Sequence, residues 1–195
     1  MLSRYHQRDF EGSIAALRRH FDLDPADLVA SIGESQETNL RILDFLAGWL
    51  SDKDRFEEAA IVSEIQTSVE PGSSRFWNNL GLFRRDAGEA LRDSGRPEVA
   101  EEARADFERS WKAYTKALEL EPDNPAFLND AAVILHYYLD REPERAKAMY
   151  EKAAERAAVE LERKDLAPDL REIYKTALRD SKQNLEKLAR GDKRQ

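Results

Sequence analysis

The chain has 195 residues, of which 41% are hydrophobic and 36% are charged, so we expect a thin core beneath a heavily charged surface. The formal net charge of −8 argues against binding of nucleic acid or anionic lipid over the whole surface, and the lack of cysteine excludes disulfides, thiolate catalysis and cysteine-bound metals. No apolar run approaches the roughly 20 residues that span a bilayer, and the first residues do not resemble a signal peptide, so we expect a soluble, cytoplasmic protein without membrane insertion.

The hydrophobic pattern is helical along nearly the whole chain. Residues 40–50 are apolar on almost every side, which predicts a helix buried on more than one face. Further along, apolar residues recur in steps of three and four over residues 99–118 and again over 170–188, each forming one stripe of a helix. No alternating pattern is long enough for a strand, so the sequence predicts an all-α protein.

Short polar breaks separate the predicted helices. They fall at residues 51–54, 70–74, 94–97, 122–125, 140–143 and 165–168. Pro97 is placed to begin a helix. Because these loops are short, consecutive helices should lie antiparallel, as hairpins.

One segment pattern occurs three times, at residues 8–25, 54–71 and 105–122. Each copy has Phe followed by Glu, a small residue three places after the Phe, and a proline fifteen places after it. The phenylalanines are Phe10, Phe56 and Phe107; the small residues are Ser13, Ala59 and Ser110; the prolines are Pro25, Pro71 and Pro122. We expect the small residue to mark a close approach of two helices and the proline to end the second helix of a hairpin. A single hairpin leaves one apolar face open, and stacking a similar hairpin covers it.

These residues resemble the tetratricopeptide-repeat family. Its first-helix pattern is matched by Trp77, Leu80 and Gly81, although Arg84 stands where the family has Tyr. The second helix is matched by Ser110, Tyr114, Ala117 and Pro122. The resemblance implies a right-handed α-solenoid of stacked antiparallel helix hairpins.

The repeat spacing is longer than the family period of about 34 residues. The excess around residues 88–109 predicts one elongated hairpin with arms of roughly 20 residues, about 30 Å each. We expect a single domain over residues 1–190. Its parts are a degenerate unit at 1–39, a repeat at 40–73, a repeat with the long hairpin at 74–124, a repeat at 125–164, a capping helix at 168–190 and a disordered tail at 191–195.

The sequence offers no catalytic or metal-binding pattern. His6, His20 and His136 lack metal-ligand spacing, and the many paired carboxylates are typical of solvated helix faces. We therefore expect no enzyme activity, no cofactor and no metal. The Asn78-Asn79 pair, which is unfavourable in a helix, either bonds a neighbouring helix or faces a ligand.

The resemblance implies that the first helix of each hairpin lines a concave groove. The groove candidates that it places in the first full unit are Asp44 and Gly48. The residues that we expect to bind a peptide or protein are Asn78, Leu82, Arg85, Asn129, Val133, His136 and Tyr137. Family members that hold acidic chaperone tails use Lys, Asn and Arg at positions where this chain has Asp44, Gly48, Asn79, Ala126 and Asp130, which argues against that subclass.

We therefore expect a non-catalytic scaffold that binds a peptide or protein partner in its groove. Two alternatives stay open: an adaptor that self-associates, as a homodimer, through the long hairpin or the N-terminal face, and a regulatory or interaction domain of a larger protein. The basic C-terminal helix either caps the stack or docks an acidic partner.

Overall fold

A computed structural model describes residues 1–192, and those residues contain helices and no strand. The helices are α1 (Leu2–His6), α2 (Phe10–Arg18), α3 (Pro25–Ala30), α4 (Gln36–Ser51), α5 (Phe56–Val69), α6 (Ser74–Asp93), α7 (Ala100–Leu120), α8 (Pro125–Val133), α9 (Pro143–Leu161) and α10 (Pro168–Arg190). A short 3-10 turn, Pro97–Val99, precedes α7, and a π turn, Ile134–Tyr138, continues α8. The expectation of an all-α fold built from stacked antiparallel hairpins is confirmed. The division of the chain into repeat units stays a prediction.

Helix ends follow the local sequence. The side chain of Asp24 accepts a hydrogen bond from the Ala26 amide at the start of α3, and Asn124 caps α8 in the same way. Pro71 and Pro122 lie just beyond the ends of α5 and α7, as predicted. The prediction for Pro25 is wrong: α2 ends at Arg18, and Pro25 begins α3, because its fixed φ suits the first turn of a helix.

The long hairpin is present, with 20 residues in α6 and 21 in α7. Its two helices approach closely because small residues stand at the contacts. The Ser110 hydroxyl donates to the Gly81 carbonyl at 2.6 Å, and a Cβ on Gly81 would lie 2.9 Å from the Tyr114 ring. A Cβ on Gly88 would lie 2.6 Å from the Phe107 ring. The tip of the hairpin, residues 93–98, is exposed.

The hydrophobic core consists of two clusters. The N-terminal cluster holds most of the buried side chains of α2 to α5, together with Phe76, Leu80 and Phe83 of α6. The C-terminal cluster contains Phe107 and Tyr114 of α7 together with part of the buried side chains of α8, its π turn and α9, among them Ile134 and Tyr150. Helix α7 contributes to both clusters, since Ala113 belongs to the first.

A buried ion-pair network joins three helices near the middle of the stack. The Arg84 guanidinium lies 2.9 Å from Glu57 and 2.6 Å from Glu64, both on α5, and 3.3 Å from Asp106 on α7. Arg84 occupies the position where the repeat family has Tyr. Charged groups therefore connect α5, α6 and α7 at this junction.

The C-terminal helix α10 packs against both α8 and α9, in the position that a further first helix of the stack would take. Its apolar stripe is buried at Ala177, but Leu170, at the start of the predicted stripe, is exposed. Gly191 ends the helix in the left-handed conformation, with φ of 73°. The remainder of the predicted tail, residues 193–195, lies outside the described residues. None of the helices in residues 1–192 combines the length and apolar character needed to cross a membrane.

Candidate functional site

Side-chain contacts connect the first helices of successive hairpins along one face of the stack. The Asn79 amide on α6 donates to Asp44 on α4 at 2.9 Å, and Arg75 of α6 bonds the other oxygen of the same carboxylate at 2.9 Å. Further along α6, Arg85 interacts electrostatically with Asp130 on α8. We call this surface of α4, α6, α8 and α10 the first-helix face.

The centre of the first-helix face carries partly desolvated charges. Arg85 donates to Asp86 at 2.8 Å. Burial alone would lower the pKa of Arg85, because it disfavours the charged form. The nearby Tyr114, Asp86 and Asp130 outweigh this effect and keep the pKa of Arg85 above its ordinary value. Burial raises the pKa of Asp130, an effect that Arg85 only partly offsets. A charged group held in such surroundings is costly unless a partner supplies compensating contacts.

A groove of about 340 Å³ lies between α8 and α10 at the end of this face. Its walls are formed by Ala126, Asn129, Asp130, Glu172, Ile173, Thr176, Ala177 and Asp180. Ile173 is 46% exposed and offers an apolar contact at this groove. The groove therefore combines an apolar contact with carboxylates that can accept hydrogen bonds.

Three of the predicted binding residues are engaged by the C-terminal segment. Ser181 donates to Asn129 at 3.1 Å, Tyr137 donates to Asn184 at 2.9 Å, and His136 lies 3.1 Å from the Asp192 carbonyl oxygen. Asn129 and His136 are each only 6% exposed. The C-terminal segment therefore largely covers Asn129 and His136, whereas Tyr137 is half-buried. A role of these three residues in partner binding stays a prediction.

The other four predicted residues, Asn78, Leu82, Arg85 and Val133, are half-buried. Leu82 packs against the N-terminal cluster and Val133 against the C-terminal cluster. The Asn78 side-chain oxygen is covered and has no hydrogen-bond partner within residues 1–192. Of the seven, Asn129 and Arg85 share a neighbour: Asn129 donates to Asp130 at 3.2 Å, and Arg85 interacts electrostatically with the same carboxylate.

Sequence reasoning missed the contribution of α10 to the groove. Its polar positions Glu172 and Asp180 and the apolar Ile173 line the wall opposite α8. Ile173 lies one helical turn before Ala177, at the edge of the predicted apolar stripe, and an exposed isoleucine there is the signal that could have identified the groove.

A second surface feature lies at the N-terminal end. Tyr5, Phe10, Phe45 and Trp49 form a chain of ring contacts, with the centroids of Phe10 and Phe45 5.0 Å apart. Phe45 is 46% exposed. We call these four residues the N-terminal aromatic cluster. No grouping of His, Asp and Glu in residues 1–192 is arranged to hold a metal ion.

Comparison with known proteins identifies relatives by fold. No protein-family profile matches the sequence, and no curated protein matches it significantly. PcrH, solved in complex with the chaperone binding region of PopD, has a TM-score of 0.59 at 16% identity, over 81% of this chain and 96% of that chain. A T3SS complex from Aeromonas hydrophila has a TM-score of 0.55 at 18% identity, over 90% of this chain and 98% of that chain. The type III secretion translocator chaperone SycD of Yersinia enterocolitica has a TM-score of 0.52 at 20% identity, over 76% of this chain and 96% of that chain. At these identities the likeness shows the fold, and it supports the tetratricopeptide-like architecture at that level.

Proposed function

We propose that this chain is a non-catalytic scaffold that binds a segment of a partner protein on its first-helix face. The observation that carries the proposal is the match to PcrH, since the structure of PcrH was solved with the chaperone binding region of PopD. The match covers 96% of the PcrH chain and 81% of this chain, which supports a similar role for the shared fold.

The geometry of the groove between α8 and α10 supports a peptide as its occupant. An apolar side chain of the partner would cover Ile173, which water otherwise contacts over 46% of its surface. Backbone N–H groups or a basic side chain of the partner would compensate the carboxylate of Asp130, whose charge is disfavoured by burial. The preferred segment is therefore one that carries an apolar residue next to hydrogen-bond donors.

The predicted binding residues divide into two roles under this proposal. Asn78, Leu82, Arg85 and Val133 would form the floor of the binding surface along α6 and α8. Asn129, His136 and Tyr137 would have a supporting role, because they hold the C-terminal segment in position. Their partners there are Ser181, the Asp192 carbonyl and Asn184, respectively.

Site-specific photo-crosslinking tests this function. A photoreactive residue at position 173 should capture a partner polypeptide in cells that produce the chain. The same residue at position 159 is the matched control, because Val159 is also an exposed aliphatic side chain but lies on α9. Equal capture at both positions, or none at position 173, would refute binding at this groove.

Self-association through the N-terminal aromatic cluster is the second candidate. The exposure of Phe45 favours it, and the solved SycD structure is described as an alternative dimer. Light scattering on the purified chain should then show a dimer that Phe45→Ser disrupts and Leu120→Ser, at another exposed apolar residue, does not. A monomer at micromolar concentration would remove this candidate.

A further inference from the structure

A pocket of about 350 Å³ lies beneath the tip of the long hairpin. Helix α6 has 20 residues, whereas α8 and its π turn have 9 and 5, so the hairpin extends past the end of its neighbour. The space beneath this overhang is what we call the tip pocket, and its defining residues are Arg92, Arg96, Arg104, Phe107, Tyr138 and Leu139. None of these residues belongs to the first-helix face.

The floor of the tip pocket is aromatic. The rings of Phe107 and Tyr138 lie with their centroids 4.7 Å apart, and Leu139 adjoins them. The Arg92 guanidinium stands 5.5 Å from the Tyr138 centroid and 5.9 Å from that of Phe107. These cation–π contacts place the positive charge of Arg92 above the aromatic floor of the pocket.

Two further arginines at the pocket, Arg96 and Arg104, form no ion pair with a carboxylate of residues 1–192. Arg92, in contrast, pairs with Asp93 at 3.1 Å and with Glu89 at 3.5 Å. Arg96 contacts only the Ser94 hydroxyl, at 3.4 Å, and no acidic group of residues 1–192 forms an ion pair with Arg96 or Arg104. Both side chains are exposed, so their donors are available to a ligand.

The opposite flank of the hairpin tip carries mainly acidic side chains. On the opposite flank, a pocket of about 270 Å³ is lined by Asp54, Glu57, Glu58 and Glu102, with Arg55 as the one base. Arg55 is already paired with Glu58 and Glu11. A chain of net charge −8 therefore presents a local cationic pocket at a defined place.

We propose that the tip pocket binds an acidic peptide segment of a partner protein. One apolar side chain of the segment packs on Phe107 and Tyr138, and neighbouring carboxylates pair with Arg96 and Arg104. Guanidinium groups bind carboxylates through two parallel hydrogen bonds, and the aromatic floor stabilises an apolar side chain. A small inorganic anion would leave the floor uncovered, and a purely apolar segment would leave the arginines unpaired.

Titration of the full chain with a short synthetic peptide tests the proposal. The probe is Asp-Glu-Phe-Glu-Asp, with Asp-Glu-Ser-Glu-Asp as the control that keeps the charge and removes the apolar anchor. We expect the first peptide to shift the NMR signals of Ala100, Ala103 and Leu139, and the second to bind about tenfold more weakly. Both affinities should fall as salt is raised, because the ion pairs are exposed.

A charge-reversal variant locates the binding site. Arg96→Glu with Arg104→Glu should weaken binding of the Phe peptide by about tenfold or more. The control, Arg19→Glu with Lys53→Glu, makes the same change of charge at exposed positions that do not line the pocket and should leave the affinity within about twofold. Circular dichroism of both variants confirms that the helices are retained.

Three results would overturn the proposal. One is an absence of shifts at the tip pocket at millimolar Phe peptide. Another is equal weakening by the two charge-reversal pairs, which would show non-specific attraction. The third is stronger binding of a phosphorylated or nucleotide probe than of the Phe peptide, which would assign the arginines to phosphate. Variants at Ile173 should not alter any of these measurements, so this test is independent of the function proposed for the first-helix face.

Discussion

Arg84 and Asp106 form an ion pair at 3.3 Å with side chains that are only 6% and 1% exposed. Arg84 comes from α6 and Asp106 from α7, and Glu57 and Glu64 of α5 complete the charges around the guanidinium. Removing Arg84 would leave the buried Asp106 carboxylate with only the largely exposed Arg109 as a partner among the described residues. This relationship makes the middle of the stack sensitive to single substitutions.

Arg84→Met should therefore lower the free energy of unfolding by about 3–5 kcal/mol. Urea denaturation followed by circular dichroism measures the loss. The control is Arg109→Met, because Arg109 bonds the same Asp106 carboxylate at 2.7 Å but is 53% exposed; its loss should cost less than about 1 kcal/mol. Adding Asp106→Leu to Arg84→Met should restore part of the stability, and an equal loss in both single variants would contradict a special role for Arg84.

Gly88→Ala should destabilise the protein, although alanine is the better helix former by about 1 kcal/mol. The new Cβ would lie 2.6 Å from the Phe107 ring and 3.0 Å from the Ala103 carbonyl oxygen, so α6 and α7 would have to separate. We expect a loss of about 1–3 kcal/mol in thermal or urea unfolding.

Gly48→Ala is the matched control for Gly88, since Gly48 is also inside a helix but has open space within 4 Å of the place that a methyl group would take. It should stabilise the chain by up to about 1 kcal/mol. The close-packing argument fails if both alanines have the same effect.

Stability should fall as the pH drops below about 6.5, the ordinary value for histidine, because burial lowers the pKa of His136 in the folded state. The Asp192 carbonyl, Asp140 and Lys187 modify this effect, but the net direction stays downward. The unfolded chain then binds more protons than the folded chain, so stability is full above the unfolded pKa and is lost as the pH falls toward the folded one.

His136→Gln should reduce the slope of stability against pH in this range. Unfolding midpoints measured at half-unit steps from pH 7.5 to 5.5 give the slope. His20→Gln at an exposed position controls for the loss of an imidazole. An unchanged slope in His136→Gln would show that another group is responsible.

Asp130→Asn should stabilise the free protein at pH 7 and weaken partner binding. Burial raises the pKa of Asp130 above 3.8, so its carboxylate lowers stability as the pH rises through the folded pKa. The gain of Asp130→Asn should shrink as the pH approaches 4. Asp180→Asn is the control in the same groove, because Asp180 is already bonded to Arg179 at 2.8 Å. A loss of stability at pH 7 would show that the attraction of Arg85 outweighs the burial of Asp130.

The hydrophobic periodicity of the sequence correctly predicted which face of a helix is buried where that helix packs against the core. Ala103, Phe107 and Tyr114, which the sequence places on one stripe, are all buried in α7. The small residues Ser13, Ala59 and Ser110 are each fully buried, which agrees with their predicted place at close helix contacts. The apolar stripe and the small residues both depend on the spacing of residues within one helix, which can be read directly from the sequence.

The binding face was harder to predict because two features of α8 and α10 are not local. At the π turn, the Leu139 amide donates to the Ile134 carbonyl, five residues back, at 3.0 Å. This wider turn changes which residues share a face with the preceding part of α8, and His136 and Tyr137 lie within it. The position of α10 over Asn129 depends on tertiary packing, which the pattern of α10 alone does not specify.

The two hydrophobic clusters have a consequence for how the molecule opens. Within residues 1–192, both clusters include side chains of α6 and α7, whereas each of the other helices contributes mainly to one cluster. In such a stack the contacts are between neighbours, so one end can lose its order while the other keeps its own. Amide protons of α4 and of α9 would then exchange with solvent at separate rates, and a ligand bound at one end would slow exchange there without protecting the other.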